Sequence, residues 1–218
     1  MANLDHLTTF MPTKWHLERT QKNKGSLISL FVFLFSPPKS SIDKNLENGA
    51  AGEMQTAAWI NSFTDDQNYL INNVLVPNNF SISGDTEIDL LWVGPHGIRV
   101  VEVKAYTGEI EIFNSEKWNA FAPGSNKRSW TVKNPINQCM TQAKTLRKYL
   151  KSKAINIPIQ GIIVMPSAHK VRIIDRPRLP VLGTRNELVK YYKSYNSDKI
   201  SSKTIENVVF ILNQLGRN

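Results

Sequence analysis

Alternation is the strongest pattern in the chain, and it is clearest over residues 86–108 (TEIDLLWVGPHGIRVVEVKAYTG). Ile88, Leu90 and Trp92 interleave with Glu87, Asp89, Leu91 and Val93; beyond Gly94-Pro95-His96-Gly97, Ile98, Val100, Glu102 and Lys104 interleave with Arg99, Val101, Val103 and Ala105. Period two around the strongest turn punctuation in the sequence predicts an antiparallel hairpin. Leu70 to Val76 predicts a strand before it, stopped by Pro77 and Asn78-Asn79. Gly108 to Phe113 predicts an alternating strand after it, with its acidic residues on the outer face.

Helical spacing takes over elsewhere. Asn48 to Phe63 places Ala50, Ala51, Met54, Ala57, Ala58 and Ile60 near one stripe. A second long helix is predicted from Asn134-Pro135, where Asn can cap and Pro suits the first position. Its expected buried face is Ile136, Cys139, Met140, Ala143, Leu146 and Leu150, flanked by Gln138 and Gln142 one turn apart. Ile159 to Met165 reads as a buried strand. Val171 to Ile174 and Pro180 to Leu182 read as edge strands, and residues 117–129, with Trp118 and Phe121, as loop. Thr184 with Glu187 forms a capping box that opens a helix to about Tyr195, and Ser202 to Leu215 predicts a last helix.

Residues 1–47 stand apart from this pattern. Leu27 to Phe35 is an apolar run closed by Ser36-Pro37-Pro38, shorter than the ~18–20 apolar residues of a spanning helix. Packing on the domain, peripheral contact with a membrane surface and a loosely placed extension are all open readings of it. The organisation expected is therefore an extension over 1–47, a domain over 48–166 and a C-terminal strand and helix segment over 167–218 packed on the core.

The hairpin's register carries the chemistry. With the four turn residues as the loop, Val93 faces Ile98, Leu91 faces Val100, Asp89 faces Glu102 and Glu87 faces Lys104. Directly opposed Cβ atoms lie about 4.5–5.5 Å apart, where like charges repel. Two carboxylates ending an apolar strand face are explained by a divalent cation, since Mg²⁺ takes one or two carboxylates and keeps waters for a phosphate substrate. Lys104, beside Glu102 on the same face, would orient a water or stabilise charge on the phosphate. The plainer alternative is an ordinary ion pair on a solvated strand end. Glu53 is either a third acidic group leaning over this site or a solvent-facing helix residue.

Charge and composition add a partner. The 218 residues carry a net charge of +9 with 27 Lys and Arg against 18 Asp and Glu, which favours an anionic partner, nucleic acid or membrane surface. Between Lys117 and Ile174 there is no acidic residue, and Lys127, Arg128, Lys133, Lys144, Arg147 and Lys148 fall there with the aromatics Trp118, Phe121 and Trp130. Cations interleaved with aromatics suit phosphates and unstacked bases; a solvated basic helix face is the alternative. The single Cys139 excludes an intrachain disulfide and suits a reducing compartment, and four scattered histidines argue against structural zinc.

These residues resemble a known family. The order of helix, strand, acidic hairpin with D…ExK, helix and strand is similar to the PD-(D/E)xK nuclease superfamily. Gly52-Glu53, the segment from Glu87 to Ile110, Trp118, and Asn134-Pro135-Ile136-Asn137-Gln138 together resemble the NERD (nuclease-related) domain over roughly Asn48 to Met165. The resemblance implies an α/β fold with a restriction-endonuclease-like αβββαβ core, its mixed central sheet flanked by helices. It implies Mg²⁺ (or Mn²⁺) held by Asp89, Glu102 and the Val103 carbonyl, water positioned by Lys104, and a site completed by Glu53 and Gln138. The function expected is endonucleolytic, metal-dependent hydrolysis of DNA in the cytoplasm. A catalytically silent nucleic-acid-binding module and a membrane-associated interaction protein are the alternatives. The oligomeric state is left open.

Overall fold

The computed structural model describes residues 41–78, 84–125, 130–195 and 199–215, with 41–47 described by backbone alone. The first half contains α1 (Ser41–Asn61), β1 (Tyr69–Pro77), β2 (Asp85–Gly94), β3 (Gly97–Val103), β4 (Gly108–Ile112), β5 (Lys117–Phe121) and β6 (Trp130–Lys133). The second contains α2 (Ile136–Ser152), β7 (Ile159–Val164), β8 (Ala168–Ile173), β9 (Val181–Leu182), α3 (Arg185–Lys193) and α4 (Ser202–Leu215). The apolar run Leu27 to Phe35, Lys127 and Arg128 lie outside the described residues.

The central sheet has the order β1-β2-β3-β7-β9, with β1, β2 and β3 antiparallel and β3, β7 and β9 parallel. The hairpin forms in the predicted register, with Val93 opposite Ile98 and Leu91 opposite Val100. Its turn depends on Gly97, which has φ +95° and leaves only 2.3 Å between a would-be Cβ and Pro158 O. A side chain there would meet both a disfavoured conformation and a backbone oxygen.

Helices cover both faces, which is why β3 is buried at every position. One face packs Leu91, Val93, Ile98 and Val100 against Cys139, Leu146 and Leu150 of α2 and Val208 and Leu212 of α4. The other packs Leu90, Trp92, Val101 and Ile162 against Ala57 and Ile60 of α1 and Leu188 of α3. A second sheet, ordered β6-β5-β4-β8, adds Ile110, Ile112, Trp118 and Ala120 to the first of these cores. The protein is thus a mixed α/β fold with a mixed sheet flanked by helices. Among the described residues no helix is long and apolar enough to cross a membrane.

Several expectations are corrected. Residues 117–121 are a strand rather than loop, and a further strand, not predicted, follows at 130–133. Trp118 and Ala120 alternate inward and are fully buried, with Trp118 Nε1 donating to Phe113 O at 2.9 Å. Two inward residues in a five-residue strand give too short a pattern to distinguish from loop. Met140 is 40% exposed, because α2 turns Gln142 and Thr145 inward instead. Glu109 is buried rather than on an outer face, since β8 lies parallel to β4 and brings Arg172 into an ion pair with it. Helix α1 begins upstream of Asn48. The edge strands exist, but on different sheets: β8 borders the second and β9 the first.

Candidate active site

The regular β2–β3 ladder ends at Leu90 opposite Val101, and the two acidic residues lie one step further on. There Asp89 Oδ2 accepts a hydrogen bond from Val103 N–H at 3.1 Å, so the carboxylate takes a main-chain donor at the ladder's end. Glu102 is fully buried, between β2 and β7, where it stands opposite Ile163. Its Oε1 lies 2.5 Å from Lys104 Nζ. Its Oε2 accepts from Gln142 Nε2 at 2.7 Å, and the same amide group donates to Glu87 O at 3.0 Å. Lys104 is itself fixed by its main-chain N–H, which donates to Val164 O at 2.9 Å.

Helix α1 supplies Glu53. The helix crosses closely at Gly52, where an added Cβ would lie 3.4 Å from Ala105 Cβ and Pro166 Cγ and 3.5 Å from Val103 Cγ1. The next residue therefore meets the field of the strand ends. Burial, with the charges of Asp89, Glu87 and Glu102, pushes the Glu53 carboxyl up to about 8. Burial and the Glu102 carboxylate push Asp89 up to about 7, against the Val103 hydrogen bond and Lys104. Burial opposes the charge on Lys104, but Glu102 and Asp89 outweigh it and hold the ammonium above its ordinary value. Lys104 is consequently a fixed cation rather than a base.

One lysine thus faces several carboxyl groups, two of which resist ionisation. The donors are carboxylate oxygens, the chemistry hard divalent cations take, and a cation would relieve the repulsion that raises Asp89 and Glu53. By donor chemistry the residues fit Mg²⁺ or Mn²⁺ through Asp89 and Glu102. Among the described residues no group of three His, Cys, Asp or Glu is placed to hold a metal ion by itself. Thiol chemistry finds no support, since burial and the Glu102 charge push Cys139 up to about 12.

The other predicted residues divide. Gln138 is exposed on α2 and is not brought to Glu102; Gln142, one turn on, takes that position. Both glutamines flank the apolar face in sequence, and only the helix's rotation decides between them. Lys133 lies near the site, its carbonyl accepting from the Tyr106 hydroxyl at 2.8 Å. Lys144 and Lys148 are exposed along α2. Arg147 instead donates to Ile159 O at 2.6 Å. Ile159 pairs with Ile98, whereas Glu102 pairs with Ile163, so this guanidinium is anchored about 13 Å along the strand from Glu102.

Two motif features have structural roles. Gly108, with φ +84°, would place a Cβ 2.1 Å from Phe121 O, so the second sheet can start directly after Tyr106 only with glycine. Asn134 accepts from Ile136 N–H at 2.9 Å and donates to Ser115 O at 2.7 Å, joining the start of α2 to the β4–β5 connection.

A buried carboxylate and its neighbour, with a lysine, at the ends of central strands in a helix-covered mixed sheet define a nuclease-like α/β protein. Residues 48–166, more than half the chain, match the nuclease-related domain family, and the chain belongs to that family. No curated protein and no solved structure matches it. Family membership points in general terms to interaction with nucleic acid.

Proposed function

We propose that this chain is a nuclease that hydrolyses phosphodiester bonds of DNA endonucleolytically, with Mg²⁺ or Mn²⁺ as its ion. The observation that carries this reading is the convergence of Asp89, Glu102 and Lys104, with Glu53 in their field, in a cluster of charge that one lysine cannot balance. Asp89 and Glu102 would hold the ion, joined by the Val103 carbonyl, and the ion would supply charge neutralisation at the scissile phosphate and a more acidic water.

The chain's own residues do the rest. Gln142 fixes the Glu102 carboxylate by donating to Oε2, leaving Oε1 toward Lys104. Lys104, held cationic by its neighbours, donates to the attacking water or to a phosphate oxygen. Glu53, raised in the protein alone by burial and the neighbouring carboxylates, would complete the acidic cluster beside the ion. Lys133, Lys144 and Lys148, together with Lys127 and Arg128, would attract the phosphate backbone. Exposed Gln138 would meet substrate at the site's edge. The lone Cys139 accords with a cytoplasmic setting.

The test is cleavage of plasmid DNA with Mg²⁺ or Mn²⁺ against EDTA. Nicking that requires the ion and disappears in Asp89→Ala and Lys104→Ala supports the reading. A second reading, a silent nucleic-acid-binding module, draws on one observation: both Glu102 oxygens already face partners, Lys104 and Gln142. DNA binding by a folded protein that never cleaves would favour it.

A further inference from the structure

Trp130 begins β6 directly opposite Ala120 of β5, so the two side chains share one face of the second sheet. On that face Ala120 and Trp118 are fully buried, yet Trp130 is 40% exposed. The indole therefore continues the core face beyond its rim. That rim is linked to the candidate active site through the Lys104–Gly108 segment. The Cη2 atom of the ring lies 3.4 Å from the place a Cβ on Gly108 would occupy. Gly108 follows Lys104 by four residues, a span of at most about 14 Å even in extended chain. Between them, Tyr106 hydrogen-bonds Lys133 O in Trp130's own strand. The segment bearing Lys104 and the strand bearing Trp130 are thus tied together, with an edge atom of the indole beside Gly108.

Resting on the nuclease reading above, we infer that Trp130 is a stacking platform for an unpaired base next to the phosphate presented to Lys104. The substrate class is then single-stranded DNA, or DNA with an unpaired end or flap. An aromatic face accepts a base of any sequence, but a base within a duplex has both faces occupied by its neighbours. Lys133, exposed on the same strand, supplies a cation for the adjoining phosphate.

The experiment is equilibrium binding by fluorescence anisotropy in EDTA, so that no cleavage intervenes. A labelled single-stranded oligonucleotide is compared with the corresponding duplex. Trp130→Ala and Trp130→Leu, the latter keeping apolar bulk without a π face, should weaken single-strand binding by roughly 5- to 150-fold and duplex binding by less than about two-fold. Trp130→Phe should retain most of the single-strand affinity. Equal losses on both substrates, or unchanged single-strand binding in Trp130→Leu, would overturn the inference. A wild type that binds and cleaves while all three variants behave alike would remove only this inference. A wild type that binds neither substrate in EDTA and cleaves neither with Mg²⁺ or Mn²⁺ would contradict the nuclease reading itself.

Discussion

Glu53 and Asp89 carry the site's electrostatic conflict most directly. Their carboxyls titrate at about 8 and about 7 in the folded state, against ordinary values of 4.5 and 3.8. Because the folded values are raised, the folded state holds protons that the unfolded chain has already lost between about pH 4 and pH 8, and stability falls as pH rises through that window. Thermal melts of metal-free protein should therefore show roughly 2–4 kcal/mol less stability at pH 8 than at pH 5 from these coupled groups. Glu53→Gln should remove much of that slope, and Mg²⁺ should raise Tm more at pH 8 than at pH 5. A melting temperature that climbs from pH 5 to pH 8 without metal would contradict this electrostatic picture.

The two glutamines of α2 give a second prediction at this scale. Gln142 donates to Glu102 Oε2 and Glu87 O, whereas Gln138 is exposed. Gln142→Ala leaves a fully buried carboxylate short of a donor and should cost about 1–3 kcal/mol in denaturant unfolding while slowing cleavage. Gln138→Ala should change stability by less than about 0.5 kcal/mol. Equal effects at the two positions would contradict the helix rotation seen here.

Among the elements, the junction between the two sheets is the most sensitive. Gly108→Ala meets both φ +84° and Phe121 O, and should destabilise by about 2 kcal/mol or more in denaturant melts. A loss under 0.5 kcal/mol would mean that β4 can start elsewhere. This junction also marks where the sequence ceases to reveal the fold. The hairpin register was legible because Leu91, Val93, Ile98 and Val100 alternate around strong turn residues, and the Thr184–Glu187 capping box was legible as a local motif. The second sheet was not: β5 is short, Lys117 and Asn119 interrupt its apolar positions, and only long-range pairing with β4 turns Trp118 inward. Within the candidate site, the proximity of Asp89, Glu102 and Lys104 is legible from the hairpin, because a hairpin fixes its own partners. The choice of Gln142 over Gln138 was not, because it depends on how α2 docks on the sheet.

At the scale of the whole molecule, the net charge of +9 is large, but its basic residues are not equivalent. Lys133 sits beside the Tyr106 segment, while Arg147 holds the Ile159 carbonyl. Lys133→Gln should weaken DNA binding at low salt and reduce the slope of log affinity against log salt by about 0.9 for duplex DNA. Arg147→Ala should act mainly on stability, by about 1–2 kcal/mol. Titrations at several salt concentrations, set beside melts, separate the two effects. An unchanged salt slope in Lys133→Gln would leave that lysine as a solvated surface charge.

The most direct test of the catalytic proposal is a plasmid and single-stranded DNA cleavage assay with purified wild type, Asp89→Ala and Lys104→Ala in Mg²⁺ or Mn²⁺ and in EDTA. Cleavage is expected from the wild type only with the divalent ion, with at least about a hundred-fold loss in each variant and folding preserved. Undiminished cleavage in both variants, or none from a folded wild type that binds DNA with the ion present, would contradict it.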